Sequence, residues 1–210
     1  MKKLKTACMI ITLLGVTLIA VLLVFAPDRI AAHYAPDGSV DRYGSKYEAL
    51  SFAALTLAAS GLFSLAAERK GRAGDESSAR ALMITGIAVS LITSGMGAIF
   101  LLSSGAGGEV DFVKFSGIAI GALMAVLGNI MPKVRRNSLF GLRTSWSMAN
   151  DEVWARTQRF GGYVSVVCGI VMMLSSAVLT GIAWLAVFSA EFMIWLIVCL
   201  VGSYRIAKRD

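Results

Sequence analysis

The sequence predicts an all-α integral membrane protein: a six-transmembrane-helix bundle with both termini cytoplasmic and a short amphipathic cytoplasmic helix before the fifth span. Three observations predict it. Hydrophobic residues make up 57% of the chain and mean hydropathy is +0.72, well above the composition of a soluble domain. The apolar residues fall into six runs, each near the ~20 residues that a bilayer crossing needs. The charged residues collect between those runs rather than inside them.

The runs are residues 7–25, 47–67, 81–102, 115–131, 161–179 and 182–204. The N-terminus, three lysines before an apolar run, mimics a signal peptide. No small-x-small cleavage site precedes Pro27, so the run is read as an uncleaved first helix. Only Thr180 and Gly181 divide the last two runs. A single helix over both would be ~66 Å long at 1.5 Å per residue, about twice the hydrocarbon core, so a hairpin is the better reading. Small residues at four-residue spacing, Gly86 with Ser90 and Ser94, and Gly117 with Gly121, suit close helix packing.

Charge orients the bundle. Sixteen of the twenty Lys and Arg residues lie at the two ends of the chain and in segments 68–80 and 132–160, all on one side of a six-span arrangement. The positive-inside rule places that side in the cytoplasm. A net charge of +7 would suggest nucleic acid in a soluble protein, but topology accounts for it here and no direct nucleic-acid binding is expected. Cys8, Cys168 and Cys199 all sit in apolar runs without a C-x-x-C pair and read as small core residues.

Residues 129–161 are unlike an ordinary connection. Arg alternates there with Trp, Phe and Leu, a composition suited to the headgroup layer or to a docking surface. Pro132 ends the preceding helix, and Gly141 supplies a tight turn. Asn150 is a helix N-cap with Asp151 and Glu152 in the first turn, where the helix dipole favours anions. Val153, Trp154, Thr157 and Phe160 then recur on one helical face, with Glu152, Arg156 and Arg159 on another. Gly128-Asn129, then Asn137 with Gly141-Leu142-Arg143-Thr144-Ser145-Trp146, then Glu152-Val153-Trp154, resemble the signature of the SdpI family of bacterial membrane proteins. Ser145 stands where that family often carries Pro.

The segment from residue 26 to 46 is the second informative stretch. Pro36-Asp37-Gly38 and Gly44-Ser45 are turn chemistry. Pro27, Ile30, His33, Tyr34, Gly38, Asp41, Tyr43, Gly44 and Lys46 resemble the extracytoplasmic DUF1648-type module, with Ala31 where the module often has Pro. The chain therefore divides into residues 1–67, a helical hairpin carrying this loop, and 68–210, an SdpI-type helical region.

The resemblance implies an immunity protein that protects a bacterium from its own secreted antimicrobial peptide toxin. It also implies a receptor that holds a small winged-helix repressor at the membrane when toxin is bound. Asp28, His33, Tyr34, Asp41, Tyr43 and Lys46 are then the toxin-side candidates. Asn129, Asn137, Gly141, Arg143, Thr144, Trp146, Glu152 and Trp154 are the cytoplasmic candidates. Each has a plainer role open to it: Trp146 and Trp154 as interfacial anchors, Asn129 as a helix-packing amide, Arg143 in bonding within its turn. His33 among Asp28, Asp37 and Asp41 suits a proton or metal site, but one imidazole without a second nitrogen or sulfur donor favours a structural hydrogen bond, and no metal is expected. Glu191, about ten residues into the last run, is either an intramembrane functional carboxylate or nearer the surface than the run suggests. No P-loop, nucleophile elbow, zincin helix or paired-carboxylate motif is found, so neither an enzyme nor a cofactor is expected. The rival class is a small transporter or channel-like protein; a third is an envelope-stress sensor without a repressor.

Topology is directly testable. A cytoplasm-only fluorescent reporter should be active at Arg72 and after Asp210, and an outside-only reporter at Gly38 and Gly107. Signal on the wrong side at either inner position overturns the six-span reading.

Overall fold

The computed structural model describes residues 1–35, 37, 39–105 and 111–208; Pro36, Gly38 and Gly107 lie outside them. Six helices are long and apolar enough to cross a membrane. They are α1 (Lys2–Phe25), α2 (Leu50–Arg72), α3 (Glu76–Gly105), α4 (Phe112–Ile130), α5 (Asp151–Val178) and α6 (Gly181–Lys208). Each run expected from the sequence coincides with one of these helices, with residues 47–49, 131 and 179 falling just outside the helical bounds and polar turns carrying α1, α3, α5 and α6 past the apolar stretch. Between α1 and α2 the chain forms an antiparallel hairpin, β1 (Arg29–Tyr34) and β2 (Val40–Ser45), then a 3-10 turn, Lys46–Ala49. Because successive helices reverse direction, the start of α1, the end of α6 and the α4–α5 loop share one end of the bundle. The hairpin and the α5–α6 turn share the other.

The amphipathic segment before the fifth span is not a separate helix. Asp151–Val178 runs unbroken, because Gly161 and Gly162 are used for packing rather than for a bend. A Cβ at Gly162 would sit 3.0 Å from the Pro132 ring, and one at Gly161 would sit 3.1 Å from Met131. The polar turns at the start of α5 and its apolar turns therefore form one rod about 42 Å long.

Packing groups the helices in threes. α1 and α2 pack on α3, α4 packs along α5 and α5 along α6, and the two groups meet mainly through α3 and α4. In the first group Gly15 of α1 faces Ser94 of α3, and Gly86 of α3 faces Phe63 of α2. In the second, α4 and α5 touch backbone to backbone. A Cβ at Gly121 would lie 2.6 Å from the Gly169 carbonyl oxygen, and one at Gly128 2.6 Å from that of Gly162. Seven residues separate each pair on both helices, so the contact repeats after two turns and the two rods stay in register. α6 packs mainly on α5, and much of its surface is exposed apolar side chain, including Ile182, Met193, Ile194 and Ile197.

Two aromatic and aliphatic clusters close the seam between the groups. At the hairpin end Phe52 of α2 and Phe100 of α3 pack against Phe112 of α4, and Tyr34 of β1 stacks on Phe112 with ring centroids 6.0 Å apart. At the other end Ala81 of α3 packs with Ile130 of α4 and with Val134.

The glycine seam carries a prediction. Gly128→Leu should force α4 and α5 apart and lower stability by ~1–3 kcal/mol, the usual cost of overpacking. Gly61→Ala should be neutral or slightly stabilising, since nothing lies within 4 Å of the added carbon. Thermal unfolding of the purified protein in detergent distinguishes the two.

Candidate functional site

The α4–α5 loop is a folded unit built from hydrogen bonds. Pro132 stands in a 3-10 turn, Met131–Lys133, that ends α4. Asn137 is buried, and its carboxamide is fully used. Its Nδ2 donates to the carbonyls of Arg135 (2.8 Å) and Phe140 (3.3 Å), while its Oδ1 accepts from the Leu139 and Phe140 amides, both at 2.8 Å. Gly141 follows at φ +105°, a left-handed conformation that favours glycine. A side chain there would also run into Gln158 and the Trp154 ring.

Gln158 fixes the next residue. Its Nε2 donates to the Leu142 carbonyl and its Oε1 accepts from the Leu142 amide, each at 2.9 Å. The side chain is 1% exposed, so one helical amide replaces a strand partner for a lone loop residue. Thr144 and Ser147 then cap each other. The Thr144 amide donates to Ser147 Oγ (2.8 Å), and the Ser147 amide donates to Thr144 Oγ1 (3.1 Å). Ser147 Oγ also donates to the Leu142 carbonyl at 2.9 Å. Asn150 caps α5 by accepting from the Val153 amide at 2.8 Å.

Two tryptophans tie this unit to the bundle. Trp154 is buried, and its indole donates to the Val134 carbonyl at 2.9 Å. Trp146 reaches α6, where its indole donates to Ser203 Oγ at 2.9 Å and its ring meets Tyr204 edge-on. Trp154 is therefore an interior residue rather than an interfacial anchor. Asn129 is not a helix-packing amide either. It is exposed, and its Oδ1 accepts from Lys133 at 3.4 Å. Glu152 pairs with Arg156 on the outer face of α5, and Arg136 bridges Asp151 and the Met148 carbonyl. Arg143 is exposed and makes no hydrogen bond or ion pair among the described residues.

At the opposite end, the hairpin pairs Arg29 with Ser45 and Ile30 with Gly44, then slips by a bulge before His33 meets Arg42. Ile30 is 1% exposed and packs with Ile19, Phe100 and Leu101, which for an aliphatic side chain contributes ~2 kcal/mol. Lys46 Nζ bonds the Ala26 carbonyl (3.3 Å) and pairs with Asp28 (3.1 Å), closing the base of the loop. Arg42 grips Glu48 through two nitrogens at 2.9 and 3.1 Å. His33 Nδ1 lies 2.7 Å from Asp41 Oδ1 on the surface, a cross-strand pair. Among the described residues no group of His, Cys, Asp and Glu could hold a metal. Tyr43 is exposed. Asp37 accepts from the Ser39 hydroxyl and amide, which hold its carboxyl below the usual range. His33, Tyr34 and Asp37 line a cleft of about 530 Å³ whose far wall is Asp111, Lys114 and Trp184.

Glu191 lies ten residues into α6, about 15 Å along it. It is half-buried and accepts from Ser175 Oγ of α5 at 3.1 Å. Trp184 and Trp195 of α6 donate to Ser176 and Ser165 of α5 in the same way, each at 2.9 Å. The α5–α6 contact is thus a ladder of hydroxyl bonds in which Glu191 is one rung.

With the loop and α5–α6 in place, their sequence can be compared with known proteins. Residues 133–203 match the model of the SdpI/YfhL protein family, and residues 10–57 match DUF1648, a domain of unknown function. A stretch of 95 residues, 45% of this chain, is 34% identical to the immunity protein SdpI of Bacillus subtilis (strain 168). The chain spans about two fifths (41%) of the length of that curated relative. No solved structure matches.

Within residues 133–203, Asn137, Gly141, Thr144 and Trp154 are committed to the fold of the loop and Trp146 to its contact with α6, while Arg143 is exposed. The DUF1648 segment places Ile30, Gly44 and Lys46 inside or beneath the hairpin and His33, Asp41 and Tyr43 on its surface. Gln158 and Ser147 were not singled out by sequence reasoning. The available signals were the position of Gln158 one turn beyond Trp154, and the three-residue spacing of Thr144 and Ser147.

Gln158→Leu leaves the Leu142 amide without a partner at a buried site, while its carbonyl keeps Ser147 Oγ. It should cost ~1–3 kcal/mol, the penalty of one buried unsatisfied donor. Limited proteolysis should then cut near Arg143 faster than in the wild type, while Arg159→Gln should leave the cleavage rate unchanged.

Proposed function

We propose that this chain is a membrane immunity protein that confers resistance to a secreted antimicrobial peptide toxin. The observation that carries the reading is its 34% identity over 95 residues to a protein named as an immunity protein, SdpI. The distribution of charge supports an orientation with the α4–α5 loop in the cytoplasm and the hairpin outside. The toxin would meet the hairpin end. The cleft there joins apolar walls, Trp184 and Leu185, to carboxylates at Asp37 and Asp111 and to Lys114. A short amphipathic cationic peptide finds both apolar area and anionic partners on that surface.

The same protein would act as a receptor that holds a small winged-helix repressor at the membrane when toxin is bound. Arg143 supports this part, together with Leu139, which is 55% exposed on the same loop. An unpaired guanidinium on a loop whose Asn137, Thr144, Ser147 and Asn150 side chains are bonded internally, with an exposed aliphatic on the same loop, suits an acidic protein surface. Expression in a sensitive bacterium should raise survival against a membrane-depolarising peptide of this class. Full sensitivity to all such peptides, with the protein verified in the membrane, overturns the immunity reading. Arg143→Ala should weaken repressor co-sedimentation about tenfold or more and leave survival and membrane level as in the wild type. Equal loss of all three assigns Arg143 to folding instead.

A further inference from the structure

Between the first turns of α3 and the last turn of α4 lies an open cleft of about 740 Å³. Its floor is apolar: Ala81 and Ile130 are buried, and Ile84 and Val126 line the wall below them. Its rim is polar, with Arg80, Lys133 and Arg135 among the lining residues. The rim acids are already engaged. Asp75 accepts from Ser77 Oγ (3.0 Å) and from the Ser78 amide (3.1 Å), and Lys70 lies 3.9 Å away. Burial pushes its carboxyl up, but those hydrogen bonds and Lys70 hold it below the usual range. Glu76 pairs with Arg80 at 3.3 Å. Lys133 has only a long 3.4 Å contact to Asn129. The Arg135 side chain is exposed and has no partner among the described residues, its backbone amide alone reaching Ser77.

The depth of the cleft narrows the ligand. α4 has 19 residues, about 28 Å of helix, close to the ~30 Å hydrocarbon core. Its last turn therefore ends at the boundary between acyl chains and headgroups. Lys133 and Arg135 follow that boundary, and Ile84 and Val126 fall just inside it. A ligand with an anionic head and an apolar tail fits both zones in one pose. We propose that this cleft is a binding site for an anionic phospholipid, whose phosphate sits between Lys133 and Arg135 and whose acyl chain lies over Ile84 and Val126 in the seam between α3 and α4. The site is independent of the immunity reading, since it uses neither the hairpin nor Arg143.

Thermal unfolding of the purified full chain in detergent, titrated with phosphatidylglycerol, tests it. Phosphatidylglycerol should raise the midpoint, whereas phosphatidylcholine and inorganic phosphate at equal concentration should not. Lys133→Gln/Arg135→Gln should need roughly thirtyfold more phosphatidylglycerol for half of the shift, at about fivefold for each cation near a membrane surface. Arg135→Gln alone, which disturbs no side-chain bond, should need about fivefold more. The charge-matched pair Arg159→Gln/Arg205→Gln, at the same end but outside the cleft, should behave as wild type. An equal shift from phosphatidylcholine, or the same shift from inorganic phosphate, overturns the assignment. So does a wild-type response from Arg135→Gln, or an equal loss in the Arg159→Gln/Arg205→Gln pair.

Discussion

The backbone contact between α4 and α5 is the constraint on which the rest depends. Gly121 faces Gly169 and Gly128 faces Gly162 with no side chain between them. Within a bilayer, lipid is as apolar as the helices, so burial of apolar surface does not drive them together and close van der Waals approach does. The second of these contacts lies at the mouth of the α4–α5 loop, where Pro132 packs over Gly162. The distance spanned by the loop is thereby fixed before any loop residue makes a bond. A wider crossing would carry Val134 away from the Trp154 indole and Leu142 away from Gln158.

Polar groups follow one rule throughout the second half of the chain: each buried hydrogen bond is local to a seam. Trp146, Trp184 and Trp195 each donate to a serine on a neighbouring element, at 2.9 Å in all three cases. An indole has one donor and no acceptor, so a single hydroxyl satisfies it and leaves the rest of the ring to pack. The serine hydroxyls in turn donate backwards, Ser165 to the Gly161 carbonyl and Ser203 to the Leu200 carbonyl. These short chains orient α6 on α5 without any net charge in the seam except Glu191.

The fold was legible where composition alone decides it. Six apolar runs of bilayer length, Pro132 as a stop and Asn150 as a cap each have one strong physical reading, and the structure places a helix or helix end at every one. The hairpin was not legible as strands, because β2 is Val-Asp-Arg-Tyr-Gly-Ser, largely polar on both faces, and its register depends on Ile30 being drawn into the bundle. The amphipathic start of α5 looked like a separate surface helix because Gly161-Gly162 resembles a break. Sequence cannot say whether such a pair bends a helix or admits a neighbour, since that depends on what lies across the seam. The loop residues were legible as important, but not in their division of labour. Asn137, Thr144 and Trp154 carry hydrogen-bonding groups that would serve a partner equally well. Only their partners in the folded chain show that those groups are already engaged.

Both candidate surfaces straddle the seam between the two helix groups. At one end Tyr34 of the hairpin, which belongs to the first helix group, stacks on Phe112 of the second. The tip of the hairpin also approaches the second group, since a Cβ at Gly181 would lie 3.0 Å from the Asp37 carbonyl oxygen. At the other end Val134 and Arg135, leading into the loop, meet Ala81 and Ser77 of α3. The two groups meet mainly through α3 and α4, so any shift of one group on the other takes place along this seam. A ligand can move that equilibrium only by binding one arrangement better than the other. A peptide wedged between the hairpin and Trp184, or a lipid seated between Ile84 and Val126, touches both groups at once and so meets that condition. Arg143 touches neither group directly. Its most direct hydrogen-bonded link to α5 runs through the neighbouring Leu142 to Gln158, while Trp146 ties the same loop to α6, so any coupling from Arg143 to the bundle depends on how firmly those bonds hold the loop.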